Sequence, residues 1–168
     1  PLPAWLFDFH HLLIVEPSTS QQARRLMELR QSLIKKGYSI WAPCTHQAGC
    51  PLLLQSKKDW CHHRLHWRQP EWFKKIEKYL PIKNQTITFS YLLASRVSAH
   101  AYPTNTFRII GDMLKEKGKS RIMACRGPER EFLSWLDRQG PAPDMKRGEL
   151  LHREGPEVKK GNEIRLTQ

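Results

Sequence analysis

The chain has 168 residues, 39% of them hydrophobic and six of them Trp, which suits one ordinary domain or two small ones sharing an interface and excludes a disordered chain. Its 28 Lys and Arg outweigh 16 Asp and Glu to give +12, the charge balance of a polyanion binder, so nucleic acid is the leading partner class. A membrane role is not expected, because there is no run of roughly 18 apolar residues and no basic amphipathic helix with a strong apolar face.

In chain order, Pro1 to Phe9 carries Asp8 and lacks a positive leader followed by an apolar stretch, so no secretory signal is expected. The missing initiator Met reads as the mark of a fragment or processed product. The cysteines are then expected in a reducing compartment, where metal ligation is favoured over disulfides. His11 to Glu16 (HLLIVE) reads as a buried strand that stops at Pro17. Ser18, Thr19 and Ser20 offer N-cap oxygens, and Ala23, Leu26, Leu29, Leu33 and Ile34 recur at helical spacing until Gly37 supplies a left-handed stop. Tyr38 to Ala42 (YSIWA) is the next strand. Strand, helix, strand is the pattern of a parallel α/β unit.

From Pro43 to Arg68 the periodicity gives way to Cys, His, Pro and Gly, an irregular loop that needs something besides an apolar core to order it. Glu71 to Tyr79 is expected to be a short helix and Thr86 to Ser95 a strand. After Thr106, Phe107 to Ile110, Ser120 to Cys125, Glu131 to Trp135 and Glu149 to His152 are short strand-like runs, with turns at Lys117-Gly118-Lys119, Gly127-Pro128 and Gly140-Pro141. They suggest a small β-barrel or sandwich. Gly155 to Gln168 reads as a frayed strand or tail.

Five residues separate Cys44 from Cys50, ten separate Cys50 from Cys61 and sixty-three separate Cys61 from Cys125. Four thiolates suit zinc or an iron–sulfur cluster, although the spacing matches neither zinc knuckles nor ferredoxin runs. The alternative is that some cysteines only fill space. It suits Cys125 best, beside Ile122 and Ala124, and suits Cys44, Cys50 and Cys61 poorly, since they lie in a polar loop. His46, His62, His63 and His66 lie nearby, and an imidazole could replace one thiolate at a zinc site.

The segments Val15-Glu16-Pro17-Ser18, Ala42-Pro43-Cys44 with His46, Cys50-Pro51-Leu52 and Asp59-Trp60-Cys61-His62 resemble the methyltransferase-like assembly proteins of the mitochondrial small ribosomal subunit and their bacterial relatives. Phe89-Ser90-Tyr91, Ser95-Arg96 and Lys146-Arg147-Gly148-Glu149 continue the resemblance in order, over about Leu12 to Leu151. It implies an α/β plus β chain in three parts. Residues 1–43 would be the carboxy-terminal end of a Rossmann-like methyltransferase domain, 44–105 a cysteine-rich metal-binding insertion with a return to the sheet, and 106–168 a small OB-like β-barrel. It further implies a 4Fe-4S cluster on Cys44, Cys50, Cys61 and Cys125, with zinc as the alternative, and action on small-subunit rRNA beside ribosomal proteins. The compartment would be a bacterial cytoplasm or a mitochondrial matrix, and the chain a monomer. This chain departs from the family in having Asn84-Gln85-Thr86-Ile87-Thr88 where an acidic stretch is common. The glycine-rich turn and ribose-binding acid that would hold S-adenosylmethionine are not among its residues.

Three function classes follow. An enzyme would use Glu16-Pro17-Ser18-Thr19 as a substrate edge beyond a strand, but the same residues read better as the start of a helix, and no acid–base or nucleophilic set is present. An RNA-binding module rests on residues 57–106, where nine Lys and Arg face three acids with Trp60, Trp67, Trp72, Phe73 and Tyr79 interleaved. The candidate RNA contacts are Lys57, Lys58, Arg64, Arg68, Lys74 and Lys75, with Lys119, Arg121, Arg126, Lys146 and Arg147 as a second set. A redox protein is the third and least favoured class.

Overall fold

The structure, a computed structural model, describes residues 3–81, 85–154 and 157–166. After a 3-10 turn at Ala4–Asp8 come strand β1 (His11–Pro17) and helix α1 (Ser20–Lys35). Thr19 is the N-cap, its side chain accepting from the Gln22 amide at 3.4 Å. The helix stops where Gly37 takes φ +82° and the Tyr38 amide returns to the Leu33 carbonyl at 3.0 Å. Then follow β2 (Ser39–Ala42), α2 (Pro51–Gln55), β3 (His63–His66), α3 (Glu71–Glu77) and β4 (Thr86–Ser95).

β4 is the spine of the first sheet, and β1, β2 and β3 all pair with it antiparallel. β1 and β2 therefore run in the same direction, as the strand–helix–strand pattern suggests, but β4 lies between them. Leu92 and Ala94 of β4 join Leu12, Ile40 and Tyr38 under Leu26, Leu29 and Leu33 of α1. The expected loop of 43–68 is interrupted twice, by α2 and by β3. β2 pairs with Leu93 to Ser95 and β3 with Thr86 to Phe89, so the chain leaves and rejoins the same edge of β4. Residues 43–62 thus form a closed excursion clamped at both ends.

The second sheet contains β5 (Thr106–Ile109), β6 (Leu114–Glu116), β7 (Lys119–Cys125), β8 (Glu131–Leu136), β9 (Leu150–His152), β10 (Val158–Lys160) and β11 (Glu163–Arg165). Its order is β10-β11-β8-β7-β5-β9, with β6 on β7. The expected barrel is corrected here: among the described residues β9 and β10 do not pair and the sheet stays open. Closure would need the two edge strands, each three residues long, to pair with one another, and they do not. The expected tail also contains a β10–β11 hairpin, held because β11 pairs parallel with β8 and buries Ile164. Asn84 and, of the terminal segment, Gly155, Pro156, Thr167 and Gln168 lie outside the described residues.

Period-two alternation gives β7 one buried and one half-buried face. Ile122 and Ala124 join Phe107, Ile109, Leu133, Trp135 and Ile164 in the sheet's own core. Met123 and Cys125 point the other way, into a cluster with Met27 of α1, Cys50 and Leu52 of α2, Ile110, Trp60 and Cys61. That cluster is the junction between the two sheets.

Candidate metal centre and basic surface

The four cysteines reach this junction by four routes. Cys44 follows β2 after a cis Ala42–Pro43 peptide bond. Cys50 caps α2, its carbonyl accepting from the Leu53 and Leu54 amides at 3.2 and 3.1 Å, with Pro51 at the first helical position. Cys61 precedes β3, its carbonyl accepting from Ser90 Oγ at 2.8 Å in the stretch of β4 that neither β2 nor β3 covers. Cys125 ends β7.

All four thiols are free and line one cavity of about 50 Å³, well above the roughly 10–15 Å³ that a single water requires. Burial raises the pKa of Cys50, pushes Cys61 up to about 12 and puts Cys125 well above its ordinary value, and in each case neighbouring thiols add to the rise. Burial makes these three thiols hold their protons, and a soft metal that binds them as thiolates offsets that charge. As the side chains stand, no three His, Cys, Asp or Glu among the described residues are placed to hold a single metal ion.

Of the nearby histidines, His46 and His63 line the cavity. His46 Nε2 lies 3.3 Å from Cys125 Sγ, and burial followed by the Arg30 charge lowers its pKa to about 4. His63, also lowered to about 4 by burial first, lies against Tyr91 with ring centroids 4.8 Å apart. Gly148, at φ +98°, is required beside it, since a Cβ there would come within 2.8 Å of His63 Nδ1. His62 lies beside Trp60, and His66 is exposed on β3.

Hydrogen bonds from the scaffold order much of the excursion. Arg24 Nη1 donates to the Ser56 and Asp59 carbonyls at 3.1 and 2.8 Å, and Trp60 Nε1 to the Ser18 carbonyl at 2.8 Å. The Gln47 amide exchanges two bonds with the Ile40 backbone, at 2.7 and 2.8 Å, in the manner of a further strand. Gln55 Nε2 donates to the Pro128 carbonyl at 3.2 Å, fixing α2 to the β7–β8 turn.

Arg30 is the site residue that the sequence reading passed over. It is 2% exposed, donates from Nε to Cys44 Sγ at 3.0 Å and from Nη2 to the His46 carbonyl at 2.7 Å. Its signal lies in the helical pattern: Ala23, Leu26 and Leu33 mark an apolar stripe, and Arg30 falls on it where the period calls for an apolar residue.

The two basic sets differ in their surroundings. Lys57, Lys58, Arg68 and Lys75 are exposed and have no ion pair among the described residues, and Trp72 at 63% and Tyr79 at 88% exposure are exposed aromatics of the same stretch of chain. Lys74 pairs with Glu71 at 2.5 Å and Arg64 with Asp112 at 3.2 Å. The second set is largely engaged within the fold. Lys119 and Arg121 hold Glu163, Arg121 also reaches Glu116 at 2.6 Å, and Arg126 lies between Glu131 at 3.0 Å and Glu157. Arg147 donates to the Ile110 carbonyl and, at 3.0 Å, to Asp112, while Lys146 is exposed.

No curated protein sequence matches the chain. The family described as mitochondrial small ribosomal subunit Rsm22 matches residues 4–136, a span that begins at the turn before β1, ends with β8 and contains all four cysteines. The chain belongs to the mitochondrial small ribosomal subunit Rsm22 family.

Proposed function

We propose that the chain is the cluster-holding, RNA-contacting part of a small ribosomal subunit assembly factor, with a 4Fe-4S cluster on Cys44, Cys50, Cys61 and Cys125. The observation that carries this reading is the convergence of four free thiols, Cys50 buried and the other three half-buried, from separate elements on one cavity at the junction of the sheets. Four soft donors around one cavity suit a 4Fe-4S cluster, with zinc as the alternative. When bound, the group would supply four metal–sulfur bonds that join the two sheets and, in principle, one-electron chemistry. The residues themselves suit a clasp: Cys44, Cys50 and Cys61 come from one excursion of the first sheet and Cys125 from the second.

The same reading takes the first sheet as the end of a Rossmann-like methyltransferase fold. It is supported by β1 and β2 running in one direction with α1 over one face. S-adenosylmethionine has no proposed contact in these residues. For rRNA, the support is that Lys57, Lys58, Arg68 and Lys75 and the rings of Trp72 and Tyr79 are all exposed, cations for phosphates and rings for unpaired bases. The small ribosomal subunit theme of the family points to the mitochondrial matrix and to ribosomal proteins as neighbours. Assay of iron and acid-labile sulfide on anaerobically purified protein, with zinc in parallel, tests the reading. About four iron and four sulfide per chain are expected, and stoichiometric zinc without sulfide overturns the cluster.

A further inference from the structure

Arg30 is a guanidinium with almost no contact with water. It lies on α1 at 2% exposure, beside a cavity that no carboxylate lines. Its Nη1 is buried without a partner, its Nη2 is used by the His46 carbonyl, and its Nε points at Cys44 Sγ from 3.0 Å. A buried cation without a counter-charge is among the costlier arrangements a fold can contain, and an Arg remains charged at any pH at which the protein folds. The missing negative charge must come from what Arg30 faces, and what it faces is sulfur.

We propose that Arg30 is the built-in counter-cation of an anionic group assembled on the four cysteines, and that its Nε–H donates to the Cys44 thiolate within that group. The inference rests on the metal-centre reading above and extends it to a residue that ligates nothing. Four thiolates on a divalent ion, or on an oxidised 4Fe-4S core, leave two net negative charges beside the buried guanidinium. Arg30 offsets part of that charge. His46 Nε2, 3.3 Å from Cys125 Sγ, is positioned as a second N–H donor, and the bond from Arg30 to its carbonyl links the two. Donors and cations at cluster sulfurs stabilise the reduced form, which carries one more negative charge, and so raise the reduction potential.

The consequence is a reversal of sign. In the reduced, metal-free chain Arg30 is a buried cation with no carboxylate beside it, so Arg30→Met leaves stability unchanged or raises it. In the loaded chain Arg30→Met removes the counter-charge, so the group is lost faster to a chelator. The cluster that remains is harder to reduce, with about a tenfold lower reduced-to-oxidised ratio at fixed potential, a downward shift of about 59 mV for one electron. Arg30→Lys keeps the charge and restores most of the potential and the retention.

The experiment compares the full wild-type chain, Arg30→Met and Arg30→Lys. Iron, sulfide and zinc are counted, chelator-driven loss is timed, the potential is titrated, and thermal unfolding is followed with and without metal. A cluster of unchanged potential and lifetime in Arg30→Met overturns the inference and leaves the cluster standing. Zinc in place of iron and sulfide overturns the cluster and leaves Arg30 to be judged on zinc retention. A wild type that holds neither group overturns both. If Arg30→Met and Arg30→Lys both fail to load, the metal-free forms decide. Equal or greater stability of Arg30→Met supports the counter-cation. A metal-free Arg30→Met less stable than the metal-free wild type reduces Arg30 to a tether for the His46 backbone and overturns it.

Discussion

Arg130 Nη2 holds Asp59 at 2.8 Å, and through that ion pair the segment that presents Trp60 and Cys61 is fastened to the β7–β8 turn of the other sheet. Arg130 Nε reaches the same carboxylate oxygen at 2.9 Å, and the Arg130 amide donates to Gln55 Oε1 at 3.1 Å. The two sheets are therefore already latched beside Cys61 before any metal is considered. Both side chains keep some solvent contact, so the pair is of ordinary strength. A double-mutant cycle of Asp59→Asn and Arg130→Gln, read by denaturant unfolding, should give a coupling of about 0.5–1 kcal/mol. A coupling of zero would mean that the latch is a surface ornament.

Cys61 and Cys125 enter the cavity from different sheets, so each is needed if the metal ties the sheets together. Cys61→Ser and Cys125→Ser should each reduce iron and sulfide to a small fraction of the wild-type content. Each should also lower the Tm of anaerobically purified protein by several degrees, since metal bound only by the folded state contributes to folding. An unchanged Tm for Cys61→Ser would refute the clasp even if iron were lost.

His63 gives a pH dependence of definite sign. Burial, reinforced by Arg108, His62 and Arg147, holds its pKa near about 4, against about 6.5 for an unfolded histidine. The folded value lies below the unfolded one, so the contribution is fully present above about pH 6.5. It is lost as the pH falls towards about 4, because the unfolded chain takes the proton first. The loss is at most about 3 kcal/mol for this residue. In His63→Phe the difference in unfolding free energy between about pH 7 and pH 4.5 should shrink, though not vanish, because His46 is held low in the same way. An identical pH profile for variant and wild type would show that His63 titrates normally.

The two basic sets should separate in a salt titration of RNA binding. Replacing Lys57, Lys58 and Lys75 together by Gln should weaken binding and flatten the slope of log affinity against log salt by about 2, at about 0.7 per contacted phosphate on a single strand. Lys119→Gln and Arg126→Gln should instead lower Tm, because those cations hold Glu163, Glu131 and Glu157. Their salt slope should stay that of the wild type. The reverse pattern would move the RNA surface onto the second sheet.

Much of the local structure was legible in the residue order. The stripe of Ala23, Leu26, Leu29 and Leu33 with Thr19 before it and Gly37 after it dictates α1, because capping and period are properties of neighbours in the chain. The alternating run from Thr86 to Ser95 dictates β4 for the same reason. The gaps came where partners are distant. β3 has a sequence, HRLH, with no strong strand preference, and it is a strand because Phe89 to Thr86 offer it an edge. The hairpin of β10 and β11 depends on the edge of β8 in the same way.

The four cysteines divide along the same line. Sequence by itself determined that thiols occur in a polar, histidine-rich stretch with little apolar matter to bury, and that a basic, tryptophan-rich chain surrounds them. It could not decide whether Cys125 belongs with Ile122 and Ala124 or with the other three cysteines. Strand alternation and the packing of one sheet on the other decided that, by turning Cys125 away from Ile122 and Ala124 and towards Cys50 and Cys61. Only the tertiary structure brought Arg30 to Cys44, because the charge that balances a buried group is set by what surrounds it in space.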